Sequence, residues 1–189
     1  MKLKFSCDTI TIQQILCTGG RNMYQAGDRV LYGIHGVCCV KKAEERMLDG
    51  TRRLFLVLEP EGQDGCQYLI PTHNAAAMAK LRPLLTKQAL QLLLSSDQVR
   101  KSEWITDENR RKSTYRELIA GGDTAVLLQM IYSLCRHQIE QSQQGKKFHQ
   151  CDENFLRDAE KLVAGEIAAV MDMDAASARS YLKSQLNKM

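Results

Sequence analysis

The spacing of hydrophobic positions along the chain changes once. Between Met23 and Leu81 they fall in short β-rich runs: Arg29 to Tyr32, Gly36 to Ala43, Arg53 to Leu58 and Gln67 to Ile70. Turn residues separate the runs at Gly33 to Gly36, Asp49-Gly50, Glu59 to Gly62 and Asp64-Gly65. This pattern predicts antiparallel strands, and Asp49-Gly50 predicts a tight hairpin. Pro71 should end the last strand, because proline cannot donate to a ladder. From Thr86 onward the apolar positions recur every three or four residues. That spacing predicts helices over Thr86 to Leu94 and over Thr106 to Ala120, the second stopped by Gly121-Gly122. Asp123 should cap a third, with Val126, Leu127, Met130, Ile131 and Leu134 inward. After a loop over Gln143 to His149, Asp152 should cap a fourth, with Phe155, Leu156, Ala159, Leu162, Val163, Ile167 and Val170 inward. Asp174 should open a short fifth reaching about Leu186.

Strands followed by helices, without alternation, argue against a doubly wound sheet. The expected fold is α+β: a small SH3- or Tudor-like antiparallel β-barrel, then an all-α helical bundle. The expected division is residues 23–81 for the β domain and 82–189 for the helical domain, with residues 1–22 set apart as a leader. Met1 to Asn22 lacks the apolar core and cleavage site of a signal peptide. Its Gly19-Gly20 can be encoded as GGAGG, a bacterial ribosome-binding sequence, at a suitable distance from the Met23 codon. The expectation is that translation starts at Met23; the other reading of the leader is an extra strand or tail.

Composition narrows the function classes only slightly. A net charge of +4 and a pI near 8.7 are mild, so any nucleic-acid affinity would have to come from local clustering. Aromatic residues make up 6%, too few for a single-strand stacking platform. No apolar run approaches a membrane span. Seven cysteines, without CxxC spacing, suit reduced cytoplasmic thiols used as small core residues. Neither they nor the four histidines form a metal-ligand pattern. Vicinal Cys38 and Cys39 should point to opposite faces of their strand.

One stretch concentrates both charge and aromaticity. From Arg100 to Arg116 there are six Lys/Arg against three Asp/Glu, and among them stands Trp104, the single tryptophan. A helix start follows it, with Thr106 able to cap and Asp107 and Glu108 in the first turn. Trp104 is either a core residue with solvated neighbours or an apolar wedge that unstacks a base step while cations hold phosphate.

The order and spacing of motifs over both halves resemble the CarD family of bacterial transcription regulators. The resemblance begins with Ala26-Gly27-Asp28-Arg29-Val30-Leu31-Tyr32 and His35-Gly36. It continues through Phe55-Leu56-Val57-Leu58 and Leu69-Ile70-Pro71-Thr72-His73-Asn74. Trp104, the basic helix after it, Gly121-Gly122-Asp123, Gly145-Lys146-Lys147 and the segment Asp152 to Glu166 extend it to the second half. The first of these regions is similar to the RNA-polymerase-interacting domain shared with transcription-repair coupling factor. The resemblance implies a β domain that grips the polymerase β subunit. It also implies a helical domain whose tryptophan wedges into the minor groove of promoter DNA at the upstream edge of the bubble, stabilising the open complex.

Residue by residue, the resemblance places Arg46 and Leu48 at polymerase. It adds Leu69, where several relatives have an arginine; loss of that charge would either weaken docking or shift it towards apolar contact. DNA-contacting positions would be Trp104, Lys101, Arg110, Arg111 and Lys112. Many relatives carry basic residues directly after the tryptophan, whereas this chain places Ile105 to Asn109 before Arg110. For Lys112 a solvated helix face is the competing reading. Lys146, Lys147 and His149 could meet a phosphate, but a loop cation pair is more often solvated. Asp158, Glu160 and Glu166 read as surface charges. No nucleophile, acid–base pair, phosphate loop or metal set is apparent, so neither enzymatic activity nor a cofactor is expected. The expected partners are RNA polymerase and promoter DNA, with no membrane contact, and the expected state is a monomer. The competing classes are an interaction adaptor that never meets DNA and, less favoured, a thiol-based sensor or enzyme.

Overall fold

A computed structural model describes residues 24–62 and 65–188; the leader and the proposed start at Met23 lie outside the described residues. Five antiparallel strands come first: β1 Arg29–Tyr32, β2 Val37–Leu48, β3 Thr51–Pro60, β4 Tyr68–Pro71 and β5 Leu81–Pro83. A one-turn helix, α1 Ala75–Met78, sits between β4 and β5. The helical half holds α2 Lys87–Leu94, α3 Glu108–Gly121, α4 Thr124–Gln143, α5 Gln150–Met171 and α6 Ala175–Lys188. The α+β class stands, but the sheet is open, in the order β4-β3-β2-β1-β5, rather than a closed barrel. Closure would require β4 to pair with β5. β5 is three residues long and ends in Pro83, which offers no N–H, and α1 occupies the connection between them.

Asp49 (φ 51°) and Gly50 (φ 74°) form the predicted two-residue turn, with Leu48 opposite Thr51. The flanking strands run longer than their apolar patterns suggest, because the charged stretch Lys42 to Arg46 still pairs with β3. An irregularity between Val40 and Lys42 shifts the register there. β1 is buried on both faces. Val30, with Cys38, Val40, Leu56, Leu58, Ile70 and Leu81, forms the sheet's own core. Leu31 and Val37, from the other face, pack with Leu84 against Ala169 of α5. Cys38 is buried and Cys39 half-buried, as alternation requires.

The helical core gathers Leu90, Leu94, Tyr115, Leu127, Ile131, Leu134, Phe155, Val163, Ile167 and Leu182. Most predicted inward positions are in place; Val126 and Val170 are half-buried. Two caps differ from expectation. Asp107, not Thr106, caps α3 by accepting from Arg110 N at 2.6 Å. His149, not Asp152, caps α5, and Asp152 lies in the first turn and is buried. Asp123 caps α4 as predicted.

The two halves meet closely. Gly33 (φ 47°) and Gly122 (φ 66°) face each other; a Cβ at Gly122 would stand 3.2 Å from Gly33 O, and one at Gly33 would stand 3.2 Å from Ala120 O. Only glycine permits both the left-handed backbone and that approach.

Candidate functional site

In-register neighbours in an antiparallel sheet share a face, and alternate residues along a strand do too. Leu69 lies opposite Val57, and Val57 opposite Lys42. Stepping by two along β2 and β3 adds Glu44 opposite Phe55, Arg46 opposite Arg53 and Leu48 opposite Thr51. The sheet therefore brings Arg46, Leu48 and Leu69 to one face. Leu48 and Leu69 are separated by six residues along β3, roughly 20 Å at about 3.3 Å per residue. Both leucines are exposed, 42% and 39%. Between them Glu44 accepts from Arg46 at 2.5 Å and pairs with Lys42 at 2.6 Å. The hydrogen bonds from Lys42 and then Arg46 hold the Glu44 carboxyl below its ordinary pKa. Arg53 contacts His73 Nε2 at 2.8 Å. The face thus offers two apolar anchors flanking a band of three cations and one carboxylate. Met47, 64% exposed at the hairpin tip on the opposite face, adds a third apolar contact that strand alternation does not single out.

Trp104 lies in the segment between a 3₁₀ turn, Val99–Lys101, and α3. It is half-buried at the margin of the helical core. Its ring stacks on His137 of α4 with centroids 3.7 Å apart and planes at 18°. The Arg111 guanidinium carbon stands 4.5 Å from its centroid. The indole thus carries a stacked imidazole and a guanidinium over its ring. Arg111 in turn donates to both Asp152 oxygens at 2.9 and 3.0 Å and to Ile105 O at 2.8 Å. The pair is almost solvent-free, with side-chain exposures of 7% and 2%.

Residues 24–84 match the family model described as the CarD-like/TRCF RID domain. The sheet unit is a CarD-like RNA-polymerase-interacting domain. The match ends one residue after β5, so the fifth strand belongs to the RID domain and the sheet passes the expected boundary at residue 81. All three residues predicted to meet polymerase lie within the RID domain and share its face. They are separate from the Trp104 region, which belongs to the helical half.

The predicted DNA-contacting residues divide into three kinds. Lys101 and Arg110 are exposed and enter none of the ion pairs among the described residues. Lys112 is half-buried and pairs with Glu108 one turn earlier, which raises the lysine's pKa. Arg111 is not a surface cation: its guanidinium is committed to Asp152, Ile105 and the indole. The α4–α5 loop also lies beside the tryptophan, since Phe148 is 6.4 Å from the His137 ring and His149 Nε2 is 3.9 Å from Glu108. Lys146 and Lys147 on that loop are exposed, so the fold brings them to this end of the molecule.

Glu166 is fully buried rather than a surface charge. The signal was present in its position, since 166 lies seven residues after Ala159 and three after Val163, on the stripe of α5 that faces inward. His137 had no comparable signal, because nothing local links it to a tryptophan 33 residues away. Among the described residues no group of three or more His, Cys, Asp or Glu side chains is placed to hold a metal ion. No described helix is long and apolar enough to cross a membrane.

Proposed function

We propose that this protein is a bacterial transcription regulator that docks on the β subunit of RNA polymerase through the Arg46–Leu48–Leu69 face and contacts promoter DNA with the Trp104 end of its helical half. The observation that carries the polymerase part is the RID domain itself, which supports RNA polymerase interaction and a transcription-related role. The DNA part is supported by the setting of Trp104. An indole stacked on His137 and held by Arg111 cannot intercalate with both faces, but it forms a stiff edge that can press into a widened minor groove and oppose reclosure. Exposed Lys101, Arg110, Lys146 and Lys147 around it suit sequence-independent phosphate affinity. The protein acts by binding, as a monomer and without a catalytic step.

Co-purification with RNA polymerase, followed by promoter footprinting with and without the protein, tests both halves. Retention on polymerase with altered protection at the upstream edge of the bubble is the expected result. Retention on polymerase with an unchanged footprint, and no salt-dependent retention on DNA, would instead favour an adaptor that does not meet DNA.

A further inference from the structure

The most elaborate polar cluster among the described residues belongs to neither contact surface. Arg82, on β5, donates from Nη1 to Glu166 Oε1 at 3.1 Å and from Nη2 to Oε2 at 3.0 Å. The same guanidinium reaches Gly122 O from Nε at 3.1 Å and from Nη2 at 2.9 Å, and Thr124 Oγ1 at 2.5 Å. Glu166 also accepts from Leu85 N at 2.9 Å and from the Thr124 hydroxyl. Its side chain is 0% exposed and that of Arg82 25%. One arginine of the sheet thus bonds the end of α3, the start of α4 and the middle of α5. A second arginine of the sheet, Arg29, donates to Ala169 O near the end of α5 at 2.9 Å.

The helical half supplies a buried carboxylate and the sheet supplies its counter-ion, so separating the halves would leave Glu166 uncompensated. A bidentate fork also fixes orientation, which an apolar patch would not. The site gripped matters as well. Gly122 ends α3, and the other end of that helix carries Arg111, which braces Trp104. α3 is about 21 Å long at roughly 1.5 Å per residue, and Arg82 holds its far end.

We propose that Arg82 is a positioning residue. Through Gly122, Thr124 and Glu166 it sets α3, and with it Trp104, at a fixed distance and angle from the docking face of the RID domain, so that both surfaces engage one promoter complex together. This rests on the function proposed above, but its structural part can be tested independently.

The test uses the full chain carrying Arg82→Met with Glu166→Leu, a replacement that removes the node without leaving a buried charge. Backbone ¹⁵N relaxation reads the tumbling of each half, polymerase and DNA retention read each surface alone, and the lifetime of competitor-challenged promoter complexes reads their joint action. The expected result is one common correlation time in the wild type and two in the variant. Separate polymerase and DNA retention should be unchanged, and the gain in lifetime should fall by roughly tenfold or more, as when a bivalent contact keeps its tether but loses its geometry. A variant that still tumbles as one body, or that tumbles as two and lengthens the lifetime like the wild type, overturns the proposal. If the double variant does not fold, Arg82→Lys carries the same test, since it keeps the charge and loses the fork. A wild type that tumbles as one body yet leaves the lifetime unchanged would refute the function proposed above, and with it the positioning role of the node.

Discussion

Arg111→Ala separates a structural arginine from a phosphate-binding one. Truncation removes both fork bonds to Asp152 and the bond to Ile105 O, and leaves the Asp152 carboxylate, 2% exposed, without its counter-ion. Breaking one side of a buried ion pair costs roughly 3–5 kcal/mol. At about 2–4 °C per kcal/mol for a chain of this size, the melting temperature should fall by roughly 6–20 °C. Arg110→Ala, one residue away and exposed, should change stability by less than about 0.5 kcal/mol. The assay is thermal unfolding followed by far-ultraviolet dichroism and by the emission of Trp104, the single tryptophan. Emission should change for Arg111→Ala even before unfolding, because the guanidinium leaves the ring. DNA retention against salt gives the converse. Arg110→Ala should lower the slope by about one, whereas Arg111→Met with Asp152→Leu should leave it unchanged. An Arg111→Ala protein that melts with the wild type, and binds DNA less well, would refute this assignment.

Arg46→Glu should fold normally, since the side chain is half exposed on a hairpin, and should lose affinity for polymerase through repulsion at the docking face; unchanged affinity would move the docking face elsewhere. The Cys38 and Cys135 thiols are pushed up by burial to about 11, from an ordinary value near 9.0. Above pH 9.0 the unfolded chain gives up protons that the folded chain keeps, so both thiols favour the fold fully below that pH and lose the effect as pH rises towards about 11. Denaturant midpoints measured across that window should decline, and the decline should shrink in a Cys38→Ala, Cys135→Ala protein.

The fold was largely readable from periodicity. The four longer strands and the five longer helices occur where alternation and three-to-four spacing place them, because each buries a face against the core of its own half. What escaped had no local signal or an ambiguous one. β5 is three residues long and ends in Pro83, and only its pairing with β1 makes it a strand. Sheet closure depends on how β4 and β5 lie in space, which alternation does not encode. At the candidate site, charge was legible and commitment was not. Arg110, Arg111 and Lys112 are adjacent cations in the sequence, yet the helix turns Arg111 inward to Asp152, pairs Lys112 with Glu108 and leaves Arg110 exposed. Asp152 and Glu166 sit on inward stripes of α5, so their helical positions were informative even though their charge suggested solvent.

Whether Trp104 acts on the promoter after the RID domain has docked is the central question. The direct measurement is the lifetime of promoter open complexes after competitor challenge, with no protein, with the wild type and with Trp104→Ala, at concentrations that saturate polymerase. The wild type should lengthen the lifetime, and Trp104→Ala should bind polymerase equally well while returning the lifetime close to that without protein. A folded Trp104→Ala protein that lengthens it as much as the wild type would contradict the central claim.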